Sequence, residues 1–493
     1  MGRNGICRME RSMKRVLGLY TNLSKEAKAS LWFVICNVVQ KGISFFTIPV
    51  FTRLLTTEEY GMTTVYQSWM SLIIIFTTLN IQYGAFNPAM IKFEKDRDRF
   101  ISSMQGLSTV LTAGFLAIYL LGYKQWNSLF DLPLILMLCM FAEMFTSPAL
   151  GFWSGKQRFD IKYKGLVALT IFIAALSPVI GIACVLLADD RGIARIVGCA
   201  LVNIAVGLIL YIYNWSKGKK LYVKEYWIYG LKFNVPLIPY YLSQMVFNQS
   251  DRLMIDALDG RDKAAIYGVA YSLGLVLNFV INSINNSFVP WTYKKIRDGK
   301  QKEIKNITNG ITALVAVMLL VLILITPEIM RFIAAPEYYE AIWVVPPIVA
   351  SLFFLFLSQL SINIEFYFGK NTLLVKGSIL SAIINIVLNY IFIQLFGYMA
   401  AGYTTLVSYI IFCISNYLCM KKVCREHFGE NQWQIYDFRI LSVISAVFLG
   451  VMFVLMTLYN FMIIRYVIVV IILLLLFLKR KYILEKVREI RST

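Results

Sequence analysis

The sequence is poor in charged residues and nearly free of histidine. Of its 493 residues only 15% are charged, 58% are hydrophobic, and one, His427, is a histidine. Soluble domains average about 25% charged and about 45–50% apolar residues. This composition excludes a chain built of soluble domains, and the single histidine excludes a metal centre or a proton relay made of several histidines.

The eight cysteines lack the spacing of a metal site or of a disulfide framework. They are scattered, mostly inside hydrophobic runs, with no C-x-x-C pair. Cysteines of this kind are typical of small buried apolar side chains. The sequence also lacks a Walker-type phosphate-binding loop, so it predicts neither ATP hydrolysis nor any other cofactor.

Hydrophobic runs long enough to cross a bilayer fill most of the chain. A membrane-spanning helix needs about 20 mainly apolar residues, and the sequence offers about fourteen such runs. They lie near residues 29–51, 62–87, 101–122, 131–152, 165–187, 195–214, 229–250, 264–290, 306–330, 341–365, 372–396, 398–420, 438–458 and 461–479. The fold class predicted is therefore an all-α polytopic membrane protein.

Basic residues are distributed unequally between the predicted loops. The N-terminus and every second loop hold 38 of the 48 lysines and arginines, and the intervening loops hold nine. Because cytoplasmic loops carry the excess of positive charge, we expect both termini in the cytoplasm and an even number of spans. The net charge of +20 then reflects topology and attraction to anionic membrane lipids, with no need for a nucleic acid partner.

Two short segments resemble each other and indicate an internal repeat. Residues 53–68 and 252–272 both begin Arg-Leu, pass through an acidic turn and enter the next helix as Tyr-Gly. Six spans per half is an even number, so the halves are expected to be related by an axis along the membrane normal, with a ligand site between them. The predicted parts are a basic cytoplasmic N-terminus with a retained start (1–28), an N-terminal six-helix bundle (29–214), a cytoplasmic linker (215–228), a C-terminal six-helix bundle (229–420), and two extra helices with a basic tail (421–493).

Polar side chains recur on single faces of several predicted spans. In the span at 229–250 and just beyond it, one helical face carries Gln244, Asn248, Asp251 and Arg252, and the next span carries an asparagine stripe that includes Asn282 and Asn285. Lys41 lies near the middle of the first span, where a lysine costs about 2.5–3.5 kcal/mol. We expect these faces to line a water-filled cavity. Two structural alternatives to a cavity lining stay open. Stripes of amides also bond helices to one another, and Asp251 and Arg252 could form an ion pair at the membrane interface.

Three acidic residues within or beside the spans are candidates for ion coupling, because intramembrane acids are costly and usually functional. They are Glu143, Asp251 and Glu365. Glu143 is also a candidate partner for the charge of Lys41.

Five segments then place the chain among known transporters. They read QKGISFFTIPVFTRLLTTEEYGMTTVYQSW (40–69), VPLIPYYLSQMVFNQSDRLMI (235–255), AIYGVAYSL (265–273), NNSFVPWTYKKI (285–296) and PEYYEAIWVVPPIVAS (336–351). Together they resemble the Wzx-type polysaccharide flippases of the multidrug/oligosaccharidyl-lipid/polysaccharide exporter superfamily. The resemblance covers nearly the whole chain to about residue 420.

The resemblance implies two six-helix bundles in a V and transport by alternating access. The implied cargo is an undecaprenyl-pyrophosphate-linked oligosaccharide repeat unit, moved from the cytoplasmic to the outer leaflet of the bacterial cell membrane. The products would be lipopolysaccharide, capsule or exopolysaccharide, with a polysaccharide polymerase and chain-length machinery as further partners. Such cavities are cationic, and the basic residues closest to the predicted cavity faces are Lys41, Arg53, Lys232 and Arg252.

Two other functions remain to be weighed against the flippase. A cation-coupled drug or metabolite exporter of the same superfamily would depend on acidic cavity residues and not on basic ones. A membrane enzyme acting on lipid-linked sugars is disfavoured, because the predicted loops are short and no acid/base constellation is evident. We therefore expect a transporter and not an enzyme.

Overall fold

A computed structural model describes residues 24–369, 371–429 and 434–478. These residues form α-helices and short 3-10 turns, and no β-strand occurs among them. The helices are α1 (Lys25–Leu54), α2 (Thr57–Thr78), α3 (Phe86–Lys92), α4 (Arg97–Leu121), α5 (Tyr123–Phe130), α6 (Leu134–Phe159), α7 (Tyr163–Leu187), α8 (Arg191–Gly218), α9 (Lys224–Asn234), α10 (Ile238–Leu258), α11 (Arg261–Arg297), α12 (Gln301–Leu324), α13 (Thr326–Ile333), α14 (Val345–Tyr367), α15 (Asn371–Phe396), α16 (Met399–Phe428), α17 (Phe438–Thr457) and α18 (Met462–Leu478). The 3-10 turns are Glu94–Asp96, Val235–Leu237 and Pro336–Trp343.

Eleven helices in the described part of the chain are long and apolar enough to cross a membrane. Three more helices, α2, α10 and α18, coincide with predicted spans. Polar residues dilute the hydropathy of α2 and α10, and the apolar stretch recognised in α18 is short. The prediction of an all-α polytopic membrane protein is confirmed, and the number of fourteen spans stays a prediction.

The backbone departs from the predicted spans at two points. The span predicted at 62–87 ends at Thr78, because Leu79 and Asn80 adopt left-handed backbone angles, with φ of 51° and 48°. The span predicted at 229–250 is divided between α9 and α10 by a 3-10 turn that contains Pro236. Proline has no N–H to donate to the preceding turn, so the helix is interrupted there and does not merely bend.

The described residues divide into two packed units. Those up to Thr47 and Ile73–Ile238 form the first unit, and Ile48–Leu72 with those from Pro239 onward form the second. The predicted domain boundaries and the V arrangement stay predictions.

In the first unit, α8 packs against α4, α6 and α7. An aromatic cluster joins the ends of several helices: the Phe93 ring lies 5.4 Å from that of Phe100 and 4.7 Å from that of Tyr226. Lys156 on α6 pairs with Asp98 on α4 at 2.5 Å. Other helices, such as α7, carry few buried residues, and their apolar faces are available to lipid.

In the second unit, α14 is the central helix. It packs against α11 and α16, and 83% of its most apolar stretch is buried within the protein. A helix that is apolar on all sides is expected at the core of a bundle. Its few polar side chains, which include Gln359, Asn363 and Glu365, are consequently held among other helices and not against lipid.

The two copies of the predicted repeat lie against each other in the second unit. A methyl group on Gly61 would overlap the backbone carbonyl of Arg261, and one on Gly268 would lie 3.0 Å from Thr64. Ser68 also donates a hydrogen bond to Gln249 at 3.1 Å. The glycine of each Tyr-Gly pair thus allows α2 and α11 to approach closely.

An ion pair fixes α18, the last described helix, to α13. The guanidinium of Arg465 on α18 is only 2% exposed and binds both carboxyl oxygens of Glu328 on α13, at 2.6 and 2.7 Å. Tyr459 adds a hydrogen bond to the carbonyl of Ile323 at 3.0 Å.

The Gly61 contact predicts a marked loss of stability on substitution. Gly61→Ala should lower the melting temperature in detergent, because overpacking of about 1–3 kcal/mol exceeds the gain in helix propensity of about 1 kcal/mol. Gly42→Ala is the matched control, since Gly42 lies in α1 with open space around it, and it should leave the melting temperature unchanged or raised. Equal melting temperatures for the two variants would show that the close approach is absent.

Candidate functional site

A cavity of about 200 Å³ lies inside the second unit, among α10, α11, α14 and α16. Five of its nine lining side chains are primary amides, and three are aromatic. The lining residues are Gln244, Phe247, Asn248, Asn278, Asn282, Leu355, Gln359, Tyr409 and Phe412. We call this cavity the amide pocket. None of these side chains is charged.

Three amides of the pocket are joined in a chain of hydrogen bonds. Gln359 Nε2 donates to Asn282 Oδ1 at 2.8 Å, and Asn282 Nδ2 donates to Asn278 Oδ1 at 2.7 Å. The side-chain oxygen of Gln359 has no partner although it is buried. Because each amide carries two acceptor positions and two N–H donors, the chain leaves hydrogen-bonding capacity for a bound molecule.

Helical spacing explains why amides of the same helix reach the pocket together. Gln244 and Asn248 are four residues apart on α10, and Asn278 and Asn282 are four apart on α11, so each pair shares a face. The aromatic side chains of the lining are clustered, since the Phe247 ring lies 5.0 Å from that of Tyr409 and 5.8 Å from that of Phe412. The pocket thus offers both hydrogen-bonding groups and flat apolar surfaces.

Asp251 forms a second polar centre one turn beyond Asn248 on α10. Its carboxylate accepts hydrogen bonds from Tyr267 at 2.6 Å, from Asn389 at 2.6 Å and from Thr405 at 2.7 Å. The donors come from α11, α15 and α16, and Asp251 is 2% exposed. One carboxylate therefore links four helices of the second unit.

Asn385 and Asn389 extend this network along α15. Asn385 accepts from Ser250 at 3.0 Å, and Asn389 accepts from the hydroxyl of Thr404. The group contains one carboxylate among amides and hydroxyls, and the described residues hold no cluster of three or more His, Cys, Asp or Glu that suits a metal ion.

Arg252 lies beside the amide pocket and does not form an ion pair with Asp251. Its guanidinium stacks over the Tyr271 ring at 4.2 Å and donates to Gln249 at 2.7 Å, while its Nε atom is buried without a partner. Tyr271 in turn donates to Asn248 at 3.1 Å. Arg252 is thus connected to the pocket through one tyrosine.

The structure gathers only part of the predicted substrate site. Gln244, Asn248 and Asn282 line the amide pocket, whereas Asn285 is buried further along α11 and accepts a hydrogen bond from Asn363 at 2.8 Å. A role in binding stays a prediction for all of them.

The other predicted basic residues lie at exposed positions. Lys41 on α1 and Lys232 on α9 belong to the first unit and are exposed. Arg53 is exposed at the end of α1 and donates to the carbonyls of Pro49 and Phe332 at 2.8 and 3.3 Å. The cationic cavity that the resemblance implies stays a prediction.

The three acids proposed for ion coupling differ in their partners. Asp251 has the three donors described above, and Glu143 on α6 accepts a hydrogen bond from Asn203 at 3.2 Å. Glu365, near the end of α14, is 1% exposed, and neither of its carboxyl oxygens has a hydrogen-bond partner among the described residues. Ion coupling at these residues stays a prediction.

Several residues of the site were not identified from sequence. Tyr409 and Phe412 line the pocket, and Tyr267 and Thr405 hold Asp251. Nothing in the local sequence distinguishes these side chains, because the span at 398–420 also carries Tyr398, Tyr403 and Tyr417.

Comparison with known proteins gives matches over most of the chain. The sequence model of a family described as "Polysaccharide biosynthesis protein" matches residues 27–295. The "Lsg locus putative protein 1" of Haemophilus influenzae is 23% identical over 380 residues, which cover 73% of this chain and 89% of that protein.

Solved structures share the fold at low sequence identity. A "Lipid II flippase MurJ, inward closed conformation" matches with a TM-score of 0.69 and 15% identity, over 92% of this chain and 100% of that one. An inward-facing "multidrug resistance MATE family transporter of the MOP superfamily" matches with a TM-score of 0.55 and 12% identity, over 78% of this chain and 93% of that one. At these identities the likeness concerns the fold alone.

The Asp251 network predicts a large effect from a small substitution. Asp251→Asn replaces one acceptor oxygen by an N–H₂ group that faces other donors. At least one buried donor then loses its partner, which costs about 1–3 kcal/mol of folding stability. We expect a clearly lower melting temperature in detergent. The matched control is Asp298→Asn, since Asp298 forms only an exposed pair with Arg297, and it should have little effect. Similar melting temperatures for the two variants would contradict the network.

Proposed function

Because the chain belongs to the polysaccharide biosynthesis protein family, whose sequence model matches more than half of its length, we propose that it is a flippase for a lipid-linked oligosaccharide. Membership and fold confirm the resemblance drawn from the sequence. The proposed cargo is an oligosaccharide repeat unit on undecaprenyl pyrophosphate, moved from the cytoplasmic to the outer leaflet of a bacterial cell membrane. A polymerase and chain-length machinery would then use it.

The amide pocket is the observation that carries this proposal. Amides both donate and accept hydrogen bonds, which suits sugar hydroxyls, and the rings of Tyr409 and Phe412 offer flat surfaces to the apolar face of a sugar. The volume of about 200 Å³ is below the roughly 300–1,000 Å³ of common ligand pockets. We therefore assign it one sugar unit and not the whole oligosaccharide.

The pyrophosphate requires a different environment from the sugar. Since the amide pocket has no charged lining side chain, we propose that the phosphates are bound by the basic residues Lys41, Arg53, Lys232 and Arg252. Arginine can bind phosphate in a bidentate manner, and lysine acts as a point charge. The polyprenyl tail would stay in lipid while the headgroup passes through the protein.

Energy for outward movement is available from the membrane potential. Moving one negative charge out of an inside-negative cell releases about 2.3 kcal/mol per 100 mV. A pyrophosphate cargo therefore needs no nucleotide hydrolysis for net transport.

The second candidate function is the cation-coupled drug or metabolite exporter. The fold likeness to a MATE-family transporter and the buried acids favour it, whereas the family match favours the flippase. Transport by Lys41→Ala, Arg252→Ala and Glu143→Gln separates the two. If only the glutamate variant abolishes function, the anionic-lipid proposal is wrong.

The direct test of the amide pocket is leaflet exchange of a fluorescent polyprenyl-pyrophosphate oligosaccharide in reconstituted vesicles with an imposed potential. Gln359→Ala and Asn282→Ala should each slow exchange by up to about tenfold, because a hydrogen bond contributes roughly 0.5–1.5 kcal/mol. Asn286→Ala is the matched control, since Asn286 is an exposed asparagine on the same helix, and it should exchange at the wild-type rate.

Two outcomes would contradict the proposal. Wild-type protein that exchanges no probe would exclude the flippase with this cargo. Variants of Gln359 and Asn282 that match Asn286→Ala would remove the amide pocket from the transport path.

A further inference from the structure

Glu365 is a buried acid for which the described residues supply no balancing charge. It lies in the last turn of α14, is 1% exposed, and neither carboxyl oxygen meets a donor in the described part of the chain. Among the described residues no lysine or arginine forms an ion pair with it. In this respect it differs from Asp251, which has three donors.

Two thiols of α16 are near enough to Glu365 to interact with it electrostatically. They belong to Cys419 and Cys424, and Cys424 is fully buried. The segment before α17 closes the same region, because the Tyr436 hydroxyl donates to the carbonyl of Leu360 at 3.0 Å.

Charged groups on the neighbouring helices are paired, half-buried or exposed. On α11, Lys295 pairs with Glu303 of α12 at 2.5 Å, and Lys294 is half-buried. Asp437 caps its own helix α17. On α16 Lys421 is half-buried, and the exposed groups near these helix ends are Lys422, Arg425, Glu426, His427 and Arg439.

An ionised carboxylate in such a place would be strongly unfavourable. Removing a charge from water costs several kcal/mol unless a counterion or hydrogen bonds replace the water. Glu365 is therefore neutral in this conformation and carries a proton. It can lose that proton only when the surrounding helices open to water, so its proton occupancy and the conformation of the bundle depend on each other.

We propose that Glu365 is a proton-binding site coupled to the conformational cycle of the second unit. The step is a transfer of one proton between water and a Glu365 carboxyl oxygen, with no other bond made or broken. Glu365 lies at the end of α14 that the distribution of basic residues assigns to the cytoplasm, so the exchange would be with cytoplasmic water. The coupling to transport rests on the proposed flippase function, whereas proton binding itself does not.

The test combines infrared spectroscopy with leaflet exchange. At neutral pH the purified wild-type protein should show an absorption band of a protonated carboxyl group that is lost in Glu365→Gln. The band should persist in Glu337→Gln, the matched control at an exposed position. A wild-type band unchanged in Glu365→Gln would overturn the proposal, whether or not the protein transports the probe.

In vesicles at zero potential, a pH gradient should change the wild-type exchange rate severalfold. Glu365→Gln, which is permanently neutral, should still exchange the probe at a rate independent of the gradient, and Glu337→Gln should respond as the wild type does. Retention of the full pH response by Glu365→Gln would overturn the coupling. Glu365→Gln should also melt no lower than wild type, and a large fall would show that the ionised form is the native one.

Discussion

A polar group inside a bilayer must find its partner within the protein, because hydrocarbon offers none. Several polar groups of the second unit follow this constraint. Asp251 receives three donors from three other helices, and three amides of the pocket bond to one another. Arg465 is neutralised by Glu328. Such contacts fix the positions of the helices. Glu365 contrasts with them, because it is a buried acid whose carboxyl has no partner among the described residues.

The same constraint separates the parts of the proposed cargo. A sugar is uncharged and rich in hydroxyls, so it suits a pocket lined by amides and rings. A pyrophosphate carries charge that such a pocket does not balance. Placing the sugar in the amide pocket and the phosphates among the basic residues would let each part of the headgroup exchange water for groups that replace its hydrogen bonds or balance its charge.

Much of the fold follows from the sequence, because hydropathy identifies membrane helices directly. The exceptions have local causes, such as the left-handed residues Leu79 and Asn80 after α2 and the proline turn before α10. Spacing also placed Gln244, Asn248 and Asn282 on one surface. It did not reveal Tyr409 or Tyr267, because a chain with 29 tyrosines offers no local sign of which ring meets a pocket on another helix. The isolation of Glu365 depends on groups distant in sequence and is visible only in the folded chain.

The central claim is that the amide pocket holds a sugar of the lipid-linked cargo. A structure of the protein determined with a polyprenyl-pyrophosphate oligosaccharide bound tests it most directly. The account predicts a sugar ring within hydrogen-bonding distance of Asn282 and Gln359, with one face against Tyr409. A bound oligosaccharide located elsewhere, with the amide pocket empty, would contradict it.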